Sequence, residues 1–497
     1  MTEEPLYITS HTDWTPDLIA RVYKEIEKIA VEELELDYYP NSIEIISAEQ
    51  MLDAYSSIGL PIHYNHWSFG KDFLRSSKAY ESGRQGLAYE IVINTNPCIS
   101  YLMEENSMLM QTMVIAHAAF GHNTVFKNNE CFKQWTNAGS IVDYMIFARD
   151  YIRQCEERYG EEEVELTLDA AHALAAHGVD KFKRKHQPRL SEEARLQKLL
   201  EEEDTKQREL DIILKRTSIK PDVDLSEHDA DDEIEEEENL LYFIMKNSPK
   251  LPQWKREILR IVYKVNQYFY PQGQTKNLNE GMASFVHYYI MTRLEEKGFI
   301  SPDGMIAFLE SHSGVIYQPE YYQKWYSGIN PYKLGFEILM DVKRICENPT
   351  EEDKEWFPQL IGKRWQDAVK EAAFEHRDDG FVAQYLSPKV IRDLKIFTVK
   401  LSYPEDSDGA EDDEIPGIVT EIHDDVGYRN IRNALAKSME RINHVPQIAV
   451  IGADMEGDRT LVLKYMPYEG RQLDVAEAEE VSDYIDMLWG YQVELNC

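Results

Sequence analysis

The chain has 497 residues, 53 Lys plus Arg against 90 Asp plus Glu, a formal net charge of −37, and 43% apolar residues. Such a length suggests about two to three domains with ample core, while the charge repels phosphate backbones and anionic headgroups, which argues against nucleic acid or a membrane surface as the main ligand. The five cysteines, Cys98, Cys131, Cys155, Cys346 and Cys497, are odd in number and contain no CxxC pair, so a disulfide framework and a thiolate zinc site are both disfavoured and a reducing cytoplasm fits best.

The opening MTEEPLYITSHTDW has no basic and then apolar export pattern, and no apolar run reaches membrane-spanning length, so a cytoplasmic protein without membrane insertion is expected. Leu18, Ile19, Val22, Ile26, Ile29 and Leu34 recur at helical spacing after Thr15-Pro16, predicting one amphipathic helix over Thr15 to Leu36. LAYEIVINTNP reads as a strand from Leu87 to Ile93 stopped at Asn-Pro. The run EENSMLMQTMVIAHAAF, Glu104 to Phe120, predicts a buried helix with Gly121 as its stop. Further helices are expected over Asn137 to Arg158 and Asp169 to His177.

Between Glu192 and Glu238 there are 19 acidic residues against 7 Lys plus Arg, which predicts a protruding helix and then a mobile acidic loop. Order should resume at Asn239, with helices over Gln253 to Phe269, Asn279 to Lys297, Pro331 to Cys346, Glu351 to Ile361 and Gln366 to Phe374. Glu405 to Asp425 holds ten acidic residues and no Lys or Arg. Around it we read a strand (Lys395 to Ser402), a helix (Tyr428 to Arg441), strands at Gln447 to Gly452 and Thr460 to Met466, a helix (Val475 to Leu488) and a strand (Gln492 to Leu495). That βαββαβ order is compatible with a ferredoxin-like sandwich.

Two segments could carry chemistry. In HAAFGH, His117 and His122 stand five residues apart, roughly 140° apart on an ideal α-helix, so they share a metal only if the helix ends near Gly121 and turns His122 back; the other reading is a satisfied core histidine and a cap. In NEGMASFVH, Glu280 and His287 are two turns apart on one face of an otherwise apolar helix, where a buried carboxylate needs a partner. A cation or a basic side chain would serve. Oxygen and nitrogen donors suit zinc, or iron and manganese at higher coordination number.

His66 stands beside Trp67, Phe69 and Lys71, a setting for a substrate carboxylate or for a loop packed on the core. His172 and His177 repeat the five-residue spacing and could extend the site or, with Asp169, cap locally. Lys181, Lys183, Arg184, Lys185 and Arg189 could take an anionic ligand or the chain's own acidic loop. There is no Walker A, GxGxxG or GxSxG sequence.

Together HAAFGH and NEG resemble the gluzincin metallopeptidases, in which two histidines of one helix and a later Glu hold zinc. The resemblance implies His117, His122 and Glu280 as ligands, with His287 as a fourth ligand or a partner behind them. The family's general base follows its first His, where this chain has Ala118. A substitute base would come from Glu90 or Glu130. The segments HWSFGKDF, YEIVINTNP, HAAFGHNTVFKNN, DAAHAL, NEGMASFVHYY, INPYKLGFEI, QYLSP and DYIDMLWGYQVEL resemble, in order over essentially the whole chain, the stage V sporulation protein R (SpoVR) family of bacteria. That resemblance implies a role in cell-envelope or spore-cortex peptidoglycan maturation, with a PrkA-type serine kinase and a von Willebrand-factor-like protein as partners.

The expected architecture is mainly α (α+β). A helical zincin-like body over 1–191 and 239–394 is interrupted by the acidic insertion 192–238 and followed by an α+β domain over 395–497. The expected function is a metal-dependent peptide or amide hydrolase, or a non-catalytic regulatory protein that docks such partners.

Overall fold

The computed structural model describes residues 6–56, 60, 62–67, 90–181, 239–320, 323, 326, 328–396, 422, 424–440, 447–453, 457–466 and 475–496. The acidic insertion, Lys71 and most of the strand expected from Lys395 to Ser402 lie outside them.

The first helix, α1 (Pro16–Glu32), begins where Thr15 accepts a hydrogen bond from the Leu18 amide at 3.2 Å and Pro16 takes the first turn. Its buried stripe is Val22, Ile26, Ile29 and Ala30, the spacing of one helix face. A small sheet follows, from β1 (Asn41–Ile46), β2 (Glu90–Ile93) and β3 (Cys98–Met103), with helix α2 (Ala48–Ser56) after its first strand. Its order is β1-β3-β2, with β1 parallel and β2 antiparallel to β3, and Glu90 opposite Leu102.

The long apolar run starts at α3 (Met108–Ile115), where Ser107 accepts from the Met110 amide. The chain then winds as a seven-residue π-helix, Ala116–His122, and continues as α4 (Asn123–Asn128). The expected stop at Gly121 is therefore overturned. Gly121 is there for close approach: a Cβ on it would lie 2.6 Å from the Ala283 Cα. Next come α5 (Glu130–Trp135), α6 (Ile141–Tyr159) and α7 (Glu161–Ala173), the last beginning eight residues earlier than the Ala-rich stretch suggested.

After the undescribed insertion the chain forms α8 (Leu240–Asn247), α9 (Gln253–Gln274), α10 (Lys276–Glu296), α11 (Pro302–Val315) and α12 (Pro331–Glu347). Short helices α13 (Glu351–Trp356), α14 (Trp365–Phe374), α15 (Asp378–Tyr385) and α16 (Pro388–Asp393) precede α17 (Asp425–Met439). Asp378 fixes the start of α10: its carboxylate accepts from the Asn277 and Leu278 amides at 2.9 Å each, in the favoured position of an anion at a helix N-terminus. Gly281 of α10 meets Gly335 of α12 backbone to backbone, so these helices cross without an intervening side chain.

The chain ends in β4 (Gln447–Ala453), β5 (Leu461–Met466), α18 (Val475–Trp489) and β6 (Val493–Asn496). This second sheet has the order β4-β5-β6, with an antiparallel and then a parallel pair. Along β5 the buried residues alternate, Leu461, Leu463 and Tyr465 facing the core. The described residues are thus mainly helical with two small mixed three-stranded sheets. Of the expected first strand, Lys395 and Ile396 lie in a turn at positive φ for Lys395.

Two apolar cores organise these elements. One gathers α1, β3, α3, the π-helix, α10, α12 and α14 to α17; the other gathers α6 to α9 with the C-terminal sheet and α18. The C-terminal sheet is pinned to the helices: Ser248 Oγ donates to the Leu488 carbonyl at 2.8 Å, and Phe243 stacks on Trp489.

Candidate metal centre

The five-residue spacing of His117 and His122 is reconciled by the π-helix. Its hydrogen bonds span five residues instead of four, so residues five apart take the relative position that residues four apart hold on an α-helix. The two rings meet edge to face with centroids 4.7 Å apart. Opposite them, α10 presents Glu280, whose Oε2 lies 3.8 Å from His117 Nε2 and 3.5 Å from His122 Nε2. The third side is β2: Glu90 Oε1 lies 3.3 Å from His117 Nε2.

Glu90, His117 and His122 each bring a ligand atom within 4.8 Å of the others, a grouping that could hold a metal ion. The separations exceed good hydrogen-bond lengths. Moreover, Glu90 Oε2 and Glu280 Oε2 are buried without a hydrogen-bond partner. Glu280 Oε2, unpartnered beside two imidazole nitrogens, and Glu90, with Oε1 near His117 and Oε2 unpartnered, make a donor set that a divalent cation would satisfy.

The far sides of the rings are occupied. His122 Nδ1 is 3.0 Å from the Asn279 side-chain oxygen, the first residue of the NEG motif. His117 Nδ1 is 2.8 Å from His287 Nδ1, and His287 Nε2 is 2.8 Å from His312 Nδ1 on α11. His287 is thus placed behind His117, with both ring nitrogens engaged. Sequence reasoning missed His312 and also Tyr332, whose hydroxyl lies near Glu280 and whose ring stacks on His117. A signal for His312 exists: it follows Phe308 by one helical turn, on the buried face of α11.

Burial pushes Glu90 well above the usual carboxylate range, with the Glu280 charge adding to it. Burial also pushes Glu280 up, but the neighbouring His117 and His122 imidazoles and the Tyr332 hydroxyl outweigh it, leaving Glu280 low. A divalent cation would let both carboxylates ionise. Burial holds His117 and His312 down at about 4 and His287 well below its ordinary value.

These histidines set an acid limit. An imidazole kept neutral in the fold and free to protonate when unfolded contributes stability that is complete above 6.5 and is lost as pH falls toward about 4, because the unfolded chain binds more protons in that window. Chelator-treated protein is therefore expected to show a falling Tm by calorimetry from pH 6.5 downward, before ordinary carboxylates protonate. A flat profile over that window would contradict the burial of these rings.

The other candidates lie elsewhere. Glu130 sits at the exposed start of α5, paired with Lys133 at 3.1 Å, and is not in the centre. His66 and His172 stack on each other at 4.3 Å; His66 also meets Asp169 at 3.0 Å, and His172 meets the Tyr64 hydroxyl at 2.8 Å. His177 ends a short 3-10 turn after α7.

The fold and site define a mainly helical protein with a buried histidine and carboxylate group able to hold a metal. The family model described as SpoVR like protein matches residues 13–444, and that of the SpoVR-like C-terminal domain matches 446–497. The chain belongs to the SpoVR-like proteins. It is 48% identical to "Uncharacterized protein YcgB" of Escherichia coli (strain K12) over 498 residues, covering 100% of this chain and 94% of the relative. No solved structure matches it. No described helix is long and apolar enough to cross a membrane.

Proposed function

We propose that the chain is a metal-dependent hydrolase of a peptide or amide bond, with His117, His122 and Glu280 as the ligands, zinc as the metal ahead of iron or manganese, and Glu90 as the base. The observation that carries this reading is the unpartnered Glu280 Oε2 beside both imidazole Nε2 atoms, with a second buried carboxylate, Glu90, at the edge of His117. A bound divalent ion supplies Lewis-acid polarisation of the scissile carbonyl. Glu90 answers for Ala118: delivered by a neighbouring strand rather than by the helix itself, its carboxylate reaches the same edge of His117. In hydrolysis it takes a proton from the attacking water at Oε2 and passes it to the departing amine nitrogen as the C–N bond breaks. His287 and His312 hold His117 from behind so that its Nε2 lone pair faces the centre.

The family resemblance extends the proposal to peptidoglycan peptides or amides as substrates, with a PrkA-type serine kinase and a von Willebrand-factor-like protein as partners. The test is elemental analysis of protein purified without a chelator or histidine tag, followed by a screen of peptidoglycan fragments with wild type and Glu90→Gln. About one metal per chain, with hydrolysis lost in Glu90→Gln while the metal stays, is the expected result. Metal retained without hydrolysis of any fragment favours the regulatory alternative, which the absence of a glutamate at Ala118 supports. No metal, and none taken up on addition, overturns both metal readings.

A further inference from the structure

Apart from the histidine centre, α13 ends at Trp356 and α17 carries Arg429 and Arg432, three residues apart and so neighbours on the helix surface. Their guanidinium carbons lie 4.5 and 4.8 Å from the centroid of the Trp356 ring. In a chain with 90 Asp plus Glu against 53 Lys plus Arg, an arginine finds a carboxylate readily. Neighbouring arginines do so: Arg392 pairs with Glu352 and Arg344 with Asp353, each at 2.7 Å. Arg429 and Arg432 form no ion pair with a described carboxylate.

Stacking on the indole explains where the two guanidinium groups sit. It does not explain two donors left over: Arg432 Nε and Trp356 Nε1 are both buried without an acceptor. Burial and the neighbouring Arg429 charge together pull the Arg432 pKa down, the mark of a cation lacking its counter-ion. Around one ring there are thus two positive charges and two unmet N–H groups, with no acceptor among the described residues to answer them.

We propose that Trp356, Arg429 and Arg432 form an oxyanion site that takes a phosphate group. A carboxylate brings one charge, whereas a phosphate monoester brings about −1.5 to −2 at neutral pH and three strong acceptor oxygens, which matches the pair of cations and the spare donors better. The site is independent of the metal reading. The phosphate can arrive as the free ion or on a modified side chain of a partner, and the two sources are separable by experiment.

The test is calorimetric titration of the full chain at constant ionic strength with inorganic phosphate, a phosphoserine peptide and its unphosphorylated counterpart. Saturable binding of a phosphate-bearing probe is expected, weakened by roughly tenfold or more in Arg429→Gln and in Arg432→Gln, since a charged hydrogen bond is lost. Trp356→Phe keeps a ring to stack on but removes the N–H, and should weaken binding less. Tighter binding of the phosphopeptide than of inorganic phosphate identifies a modified partner; equal affinity identifies the free ion. Arg429 is exposed, so its variant should fold even if Arg432→Gln does not. Absence of saturable binding by both phosphate probes, or unchanged binding in Arg429→Gln, overturns the site.

Discussion

On the proposed ligand set, Glu280→Gln should leave the protein folded and lose the bound metal. The glutamine keeps the shape and one oxygen, but it cannot ionise, and Glu280 is the carboxylate that the surrounding imidazoles and Tyr332 hold in its charged form. Loss of a ligand should weaken metal affinity by more than the roughly 10- to 100-fold typical of residues that only orient a ligand. His312→Leu provides that comparison. It touches the centre only through His287 and His117, so it should fall within the roughly 10- to 100-fold band. His312→Gln, which retains an acceptor for His287, should recover most of the loss. Competition with a chromophoric chelator measures all three, and circular dichroism checks the fold. Equal affinity in wild type and Glu280→Gln would remove Glu280 from the ligand set; equal affinity in His312→Leu would show that the imidazole chain does not position His117.

Much of this centre was legible in the sequence, because buried titratable groups on apolar helices stand out. Glu280 among Met282, Phe285 and Val286 demanded a partner, and HAAFGH supplied two nitrogens. The geometry joining them was not legible. A π-helix has no composition signal in AHAAFGH, and five-residue spacing on an α-helix argues against a shared ligand, so the reading relied on a glycine stop that the structure does not contain. Gly121 instead answers to Ala283, a residue more than a hundred and fifty positions away, which local patterning does not report. Glu90 was nameable as a candidate only because it falls on a strand near the motif; its placement beside His117 depends on β2 packing against the π-helix. His312 and Tyr332 were missed for the same reason: each lies on a helix whose own pattern is ordinary and acquires meaning only where it crosses α10. Strand alternation made β5 readable from LVLKYM, whereas α17, read as part of the terminal domain, packs Tyr428 and Ala436 into the core of the helical body.

Gly335→Ala should be among the most destabilising single-methyl additions in the chain. A Cβ there would lie 2.0 Å from the Asn277 carbonyl oxygen and 2.6 Å from the Gly281 Cα, and both are backbone atoms that no rotamer change moves aside. Overpacking ordinarily costs about 1–3 kcal/mol; a clash that must push two helices apart belongs at or above the upper end, about 3 kcal/mol or more. Gly314→Ala is the control. It lies in α11 with no atom near the added methyl, and the gain in helix propensity should leave stability unchanged or raised by up to about 1 kcal/mol. The consequence for the site follows from position: Gly281 adjoins Glu280, and the first turn of α12 carries Tyr332, so separating α10 from α12 draws the carboxylate away from Tyr332 and disturbs its setting beside the histidines. Denaturant midpoints should therefore drop in Gly335→Ala together with metal affinity, while Gly314→Ala changes neither for the worse. A Gly335→Ala protein as stable as wild type would mean that the two helices do not meet backbone to backbone.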